Sequence, residues 1–347
     1  MKITGLFTFL FFLTNLLNGQ SDSARIISGG TIFGKIFFNY HYHFKDNEKG
    51  LGSFELTRGL LGYEHRLNDK ISAVVAGDVM STSSSIYTLY LKCAHIDWQV
   101  VKPIRISVGI IDLTQFNTQE KHWGYRYILK SFQDEYGYGV SNDIGVISEI
   151  KFHKKIKGNI FVVNGEGNKK SQDAFSMHRF GGNIIAEPYK GLVLKIYGDY
   201  YPNRFLASGN DGQQAVTDTS AINIISAFAG YTFKHRFRIG AEYNVMNNAE
   251  CYSKVAGDYQ LSGCSFYATY ILSKKWEVFT RYDKLWSNKP NQSAEPWNKN
   301  GDGELIITGV QYTHENGFNM SLNYRSWIYS EIDSELSFLF LNLNYSF

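Results

Sequence analysis

Cysteine, proline and long apolar runs are all scarce in this chain, and each shortage excludes something. Only Cys93, Cys251 and Cys264 occur among 347 residues. An odd number with no Cys-x-x-Cys spacing supplies neither a disulfide framework nor a thiolate metal site. A bridge between Cys251 and Cys264 that leaves Cys93 free competes with three unpaired thiols. Proline is rare for the length, at Pro 5, so little interrupts extended backbone. Charge of one sign is missing too. Lys+Arg 35 against Asp+Glu 32 leaves a formal +3, which gives nucleic acid no basic footprint. One apolar run exists, Ile3 to Leu17 behind Lys2, and Asn18-Gly19 closes it. At about fifteen residues it is short for a membrane span of about twenty, and its order of basic, apolar and small residues is that of a signal peptide over 1–19. No cysteine follows at Gln20, which argues against a lipoprotein. Beyond it no stretch is apolar for the length of a spanning helix, which excludes a membrane protein built of helices.

What the chain has instead is alternation. Aromatic residues make up 16%, with Tyr 24, Phe 25 and Gly 32. The last thirteen residues, Glu335 to Phe347, put Leu339, Leu341, Leu343, Tyr345 and Phe347 on one parity and Asn342, Asn344 and Ser346 on the other. Period two with one greasy and one wet face is a strand between unlike media. About ten such residues, tilted, cross a hydrocarbon layer. The terminal Phe with aromatics at two-residue steps resembles the closing strand of outer-membrane barrels. Upstream, the pattern recurs from Gly34, where Ile36, Phe38, Tyr40, Tyr42 and Phe44 oppose Lys35, Asn39, His41 and His43. His41 and His43 share a face but lack a third ligand for a metal, so they read as lumen residues.

Reading parity along the chain gives about sixteen strands, the even number that single-chain bacterial barrels have. Their connections fall into two kinds. Those at Asn68-Asp69, Lys102-Pro103, His153 to Lys155, Pro188 to Gly191, Lys234-His235, Ser273 to Lys275 and Glu315 to Gly317 are short; the ones between are mostly longer and more polar. Regular exchange of short and long links predicts an all-β transmembrane antiparallel barrel over 34–347, with periplasmic turns and extracellular loops. Residues 20–33 form a short N-terminal segment, too small for a plug domain. Lysines at the short turns, such as Lys70, Lys102, Lys154, Lys190 and Lys274, fit outer-membrane lipid headgroups.

The inward parity carries Arg58, Arg66, Arg105, Arg179, Arg238, Arg281 and Arg325, with Lys92, Lys151 and Lys195 among them. Interleaved are Glu64, Asp78, Glu149, Glu187, Asp199, Glu242, Glu277, Asp283 and Glu335. An Arg or Lys facing lipid near the midplane costs about 2–4 kcal/mol, so these side chains are expected to meet water or each other. Sixteen strands leave room for an aqueous channel. No cofactor is implied.

The longest connection, Thr114 to Ser141, is the least loop-like. It holds Trp123, Tyr125, Tyr127, Phe132 and Tyr136 beside Glu120, Lys121, His122, Arg126, Lys130, Asp134 and Glu135. An exposed loop would leave that aromatic area in water, so the segment is expected to pack inward and narrow the channel. On a helix over Tyr127 to Phe132, Arg126 and Lys130 would share a face and could meet an anion; Arg126 and Asp134 pairing with wall charges, by salt bridges to Glu64, Glu149 or Glu187, is the other account. Lying over the outer rim, or at a subunit contact, is the other reading.

The run Trp123-Gly-Tyr-Arg-Tyr-Ile128, then Phe132-Gln-Asp134, Gly137, Ser141-Asn-Asp-Ile-Gly145 and Asn164-Gly-Glu-Gly167 resembles the porin O and P family of outer-membrane channels. By strand count the long connection is the third outer loop, which in general porins folds into the channel. The resemblance implies passive diffusion of small polar or anionic solutes, phosphate among them, and many porins are homotrimers. The founding members line their constriction with a concentrated basic ladder. This inward face alternates in sign instead, with no run of lysines on one loop. The expected constriction is Glu120, His122, Trp123, Arg126, Lys130 and Asp134, facing the arginines of the wall. A loop-occluded barrel serving as scaffold or adhesin is the alternative. A barrel lipid hydrolase is a weaker one, since His65 is the main outward histidine and no Gly-x-Ser-x-Gly occurs. Asn298 to Glu304 departs from calcium-loop spacing and reads as a polar outer loop.

Overall fold

A computed structural model describes residues 29–44, 51–81, 87–169, 177–202, 221–234, 236–248, 259–290, 293–330 and 335–347. The signal segment and Cys251, and with it any bridge to Cys264, lie outside the described residues. Sixteen antiparallel strands, β1 (Gly29–Phe44) to β16 (Glu335–Ser346), follow one another around a closed barrel. Closure is a ladder from Lys35↔Ser346 to Phe44↔Ser337, extended by Gly34 and Phe347 exchanging backbone hydrogen bonds of 2.9 and 3.1 Å. Among the described residues no strand edge is left unpaired, the condition for backbone in hydrocarbon.

Parity decides the two faces. Val75, Ile96, Ile160, Ile184, Ile196, Ile225, Leu322 and Leu341 are exposed on the outside at mid-height. Aromatic residues flank them, with Trp98, Phe152, Tyr270, Trp276 and Tyr345 toward the short turns and Tyr87, Phe180, Tyr243 and Trp286 toward the long loops. An apolar band between aromatic girdles is the outer surface of a membrane barrel. Asn39, Asp78, Arg179, Lys195, Glu242, Arg281, Asp283 and Arg325 are buried on the inside.

Strand limits match the expected ones within a few residues, with informative exceptions. The first strand starts at Gly29, not Gly34, because Gly29 to Phe33 pair with Arg66 to Gly62 of β2 (Leu51–Arg66). The eighth begins at Arg179, its expected start at Phe175 lying outside the described residues. Glu335, expected inside, shares the outward parity of Leu339 and accepts hydrogen bonds from Ser326 (2.7 Å) and Ser337 (2.8 Å) at the outer end of the wall. Phe338 and Phe340 take the inward parity that Glu335 lacks, and their rings meet those of His43 and His41.

Candidate channel and its inner loop

Residues 113–141 leave β5 (Ile104–Asp112) and fold inside the barrel before β6 (Asn142–His153) begins. Trp123, Tyr125, Phe132 and Tyr138 are each at most 1% exposed. Two short helices shape the segment, α1 (Asn117–Trp123) and α2 (Phe132–Glu135). The helix expected over Tyr127 to Phe132 is not formed. Gly124, at φ 82°, ends α1 in the left-handed conformation that glycine adopts freely, and Tyr125 then accepts from Ile128 and Leu129 in a turn. Arg126 and Lys130 therefore share no helical face.

The segment is moored most densely to the wall from β9 (Leu192–Tyr201) to β15 (Phe318–Tyr329). Outside that wall, Asn159 and Asn183 donate to Thr114, Asn342 donates to the Tyr127 carbonyl, and Phe37 lies against the Tyr127 ring. Trp123 packs on Tyr267 and Phe279 with ring centres 5.2 and 5.9 Å apart, and Tyr125 lies 4.4 Å from Phe279. Arg281 forms two hydrogen bonds to Asp283 (2.8 and 2.7 Å), donates to the Lys130 carbonyl (2.6 Å) and sits 5.2 Å over Trp123. Tyr127 donates to Gln311 at 2.7 Å, Tyr125 donates to Glu277, and Lys195 donates to the Gln115 carbonyl and to Gln119. The Phe132 ring occupies the space a side chain at Gly263 would fill. His122 bonds Tyr267 at 2.9 Å, and burial, then the charge of Arg238, push its imidazole down to about 4, so it is neutral at ordinary pH.

Two cavities that share Asn117 as a lining residue are left open, an outer one on the side of β1 to β5 and an inner one bounded by wall residues from Gln99 to Arg238. The outer one, about 660 Å³, lies between the loop and the wall residues Lys35, Arg58, Asp78, Tyr90 and Lys92. Its charged lining is Lys35, Arg58, Lys92, Arg126, Lys130, Lys169 and Arg325 against Glu55, Asp78, Asp112, Glu120, Asp134 and Glu135. Three of those carboxylates are held by two arginines: Arg58 meets Asp78 at 2.8 Å, and Arg126 lies between Glu120 (2.8 Å) and Asp134 (3.1 Å). Even so, burial holds the Glu120 carboxyl above the usual range. Lys35, Lys92 and Lys130 form no ion pair among the described residues, although Lys92 donates to Asn142 at 2.7 Å. Lys169 rests 4.5 Å over the Tyr90 ring, and burial, with Lys130 and Lys92 nearby, lowers its ammonium.

The inner cavity, about 720 Å³, opens toward the short turns and is lined by Arg105, Lys121, Lys151, Lys157 and Arg238 against Glu149 and Glu187. Arg105 pairs with Glu149 and Lys157 reaches Glu187 at 3.9 Å.

Of the expected lining residues, Arg58, Glu120, Arg126, Lys130, Asp134 and Arg325 border the outer cavity, and Arg105, His122 and Arg238 border the inner one. Trp123, Arg179, Arg281 and Arg66 border neither. Trp123 is spent on packing; Arg179 is buried against Asp199 at 2.9 Å; Arg281 is a strut for the loop; and Arg66 is exposed at the short-turn rim beside Glu64. Lys169 could not be foreseen, because only folding brings the connection after β7 (Ile156–Val163) over Tyr90. His41 and His43 pack on Phe340 and Phe338, with ring centres 5.3 and 4.4 Å apart. In the outer turn near Asn298, Asp302 accepts from Ser287 and Asn298, so that carboxylate closes the turn.

No family model matches the chain, and no characterised protein matches it by sequence. Solved structures match in fold. OmpF of Salmonella typhi, in complex with daunomycin, has a TM-score of 0.68 at 13% identity, covering 92% of this chain and 98% of that one. The outer-membrane channel DcaP of Acinetobacter baumannii has 0.64 at 12%, covering 95% and 99%. An anion-selective porin from Comamonas acidovorans has 0.64 at 11%, covering 92% and 100%. The likeness reaches porin-type barrels in general and does not single out the O and P family. The chain thus has the fold of a sixteen-stranded porin-type barrel.

Proposed function

We propose that this barrel is a passive diffusion porin for small hydrophilic solutes, with anions favoured. One observation carries the reading. The loop packs on the lumen wall and leaves two cavities beside it, an outer and an inner one, and cations outnumber carboxylates in both. Seven cations face six carboxylates in the outer cavity, and five face two in the inner one. A solute moving there loses water and is exposed to a field that low-dielectric walls concentrate. Mechanism is then exclusion by size plus electrostatic preference. The likeness to an anion-selective porin agrees with this sign.

A phosphate-selective O and P type channel is the finer form of the proposal. The motif around Trp123 supports it, as does the gathering of Lys92, Lys130 and Lys169 from a strand, the inner loop and an outer loop. A homotrimer in outer-membrane lipid is the assembly we expect. The dense mooring of the loop is the observation that favours an occluded scaffold instead. Swelling of vesicles in isotonic small solutes separates the two. The porin reading expects vesicles carrying the folded barrel to swell faster than empty ones, faster for small solutes than for large. Equal rates would support the scaffold.

A further inference from the structure

Arg325 is 8% exposed, borders the outer cavity, and forms no ion pair among the described residues. Buried cations ordinarily have a carboxylate partner. This one is held by neutral groups: Nε donates to Asn323 (2.9 Å), Nη2 donates to Asn342 (3.0 Å), and the guanidinium lies 3.7 Å from the centre of the Phe340 ring. No described group accepts from Nη1. Glu55 and Glu135 line the same cavity, but neither reaches it. A guanidinium fixed at two nitrogens and one face, with a free edge, is a prepared fork for a carboxylate.

What lies above it is unusual for a lumen. The register of β1 on β16 opposes His41 to Phe340 and His43 to Phe338 on the inward face. The four rings touch: His43 stacks on Phe338 at 4.4 Å and 17°, and Phe338 lies 5.7 Å from Phe340. All four are only partly buried. A channel for inorganic ions alone has no use for an apolar patch on its wet wall, since a hydrated ion gains nothing there.

We infer that Arg325 and the His41, His43, Phe338, Phe340 patch form a subsite for organic carboxylates with a flat apolar body, the carboxylate on Arg325 and the ring toward the outer mouth. This rests on the channel reading and names a solute class for it. Asn39 and Asn342 continue the track inward, and Lys35 lies beyond them on the same face of β1.

Binding is measured first, by equilibrium dialysis of labelled benzoate and acetate against the full-length barrel in detergent, so that it does not depend on conduction. Benzoate is expected to bind several-fold more tightly than acetate, through its aromatic contacts. Arg325→Gln should weaken benzoate about tenfold or more. The double change Phe338→Leu and Phe340→Leu keeps most of the apolar volume and should bring benzoate down to acetate, removing the advantage of the ring. Block of chloride current by benzoate in a bilayer should follow the same order. Equal binding of the two acids to the wild type, or an Arg325→Gln barrel that is folded by circular dichroism and binds benzoate undiminished, overturns the subsite. Absence of current with selective benzoate binding would overturn the porin reading and leave the subsite standing.

Discussion

Replacing Arg281 by glutamine should unmoor the inner loop without opening the barrel. Arg281 and Asp283 are 2% and 0% exposed, and removing one partner of such a pair costs about 3–5 kcal/mol because the other charge is stranded. Most of that cost falls on the folded barrel whether or not the loop is docked. The part that belongs to docking is the hydrogen bond from Arg281 to the Lys130 carbonyl, about 1.5–3 kcal/mol for a charged donor, and the guanidinium over Trp123, about 0.5–1 kcal/mol. Together these make about 2–4 kcal/mol, which multiplies the undocked population by about thirty or more. The wall itself should survive, since its strands are joined all round by backbone ladders. Single-channel recording is the assay. The variant is expected to show frequent steps to a higher conductance level that the parent rarely visits, and urea titration should show the lower stability. A variant as quiet as the parent, with unchanged midpoint, would refute the strut and with it the view that the loop is held from the wall strand β13 (Trp276–Ser287).

Further outcomes follow from the same geometry. Lys92→Glu with Lys130→Glu should move the reversal potential in a salt gradient toward cation preference. Arg126→Gln should move it the same way but less, because it removes one charge and uncovers Glu120 and Asp134, where the double variant reverses two charges. His122 has its folded value pushed down to about 4 from 6.5, so the undocked loop binds a proton that the docked one refuses. Docking should therefore weaken as pH falls from about 6.5 toward 4. Loop-opening events counted against pH should rise over that window in the parent and stay level in His122→Asn. Leu341→Arg, on the lipid face, should cost about 2–4 kcal/mol in folding into vesicles, whereas Asn344→Arg, on the inward face, should cost little.

The barrel was legible because its driving term is periodic. Oil and water on opposite faces force alternation at every strand, and Leu339 to Phe347 carry it without a break. The start of β1 was not, because Gly29-Gly30-Thr31 has no apolar rhythm and is recruited by pairing with β2. Within the loop, Gly124 was a visible stop for α1, yet the helix was expected beyond it, over Tyr127 to Phe132. Arg126 illustrates the larger limit. Its residue type and setting suggested an anion contact, but the distances to Glu120 and Asp134 that decide its role arise only when the loop bends. The inward Phe338 and Phe340 were written in the parity of Asn342, hidden by the stronger signal of their lipid-facing neighbours.

Current through the folded barrel in a planar bilayer, under a potassium chloride gradient, tests the central claim most directly. Open cavities lined by excess cations predict an ohmic current that reverses toward the chloride equilibrium potential. A folded protein that passes no current, or one whose current reverses toward the potassium potential, would contradict it.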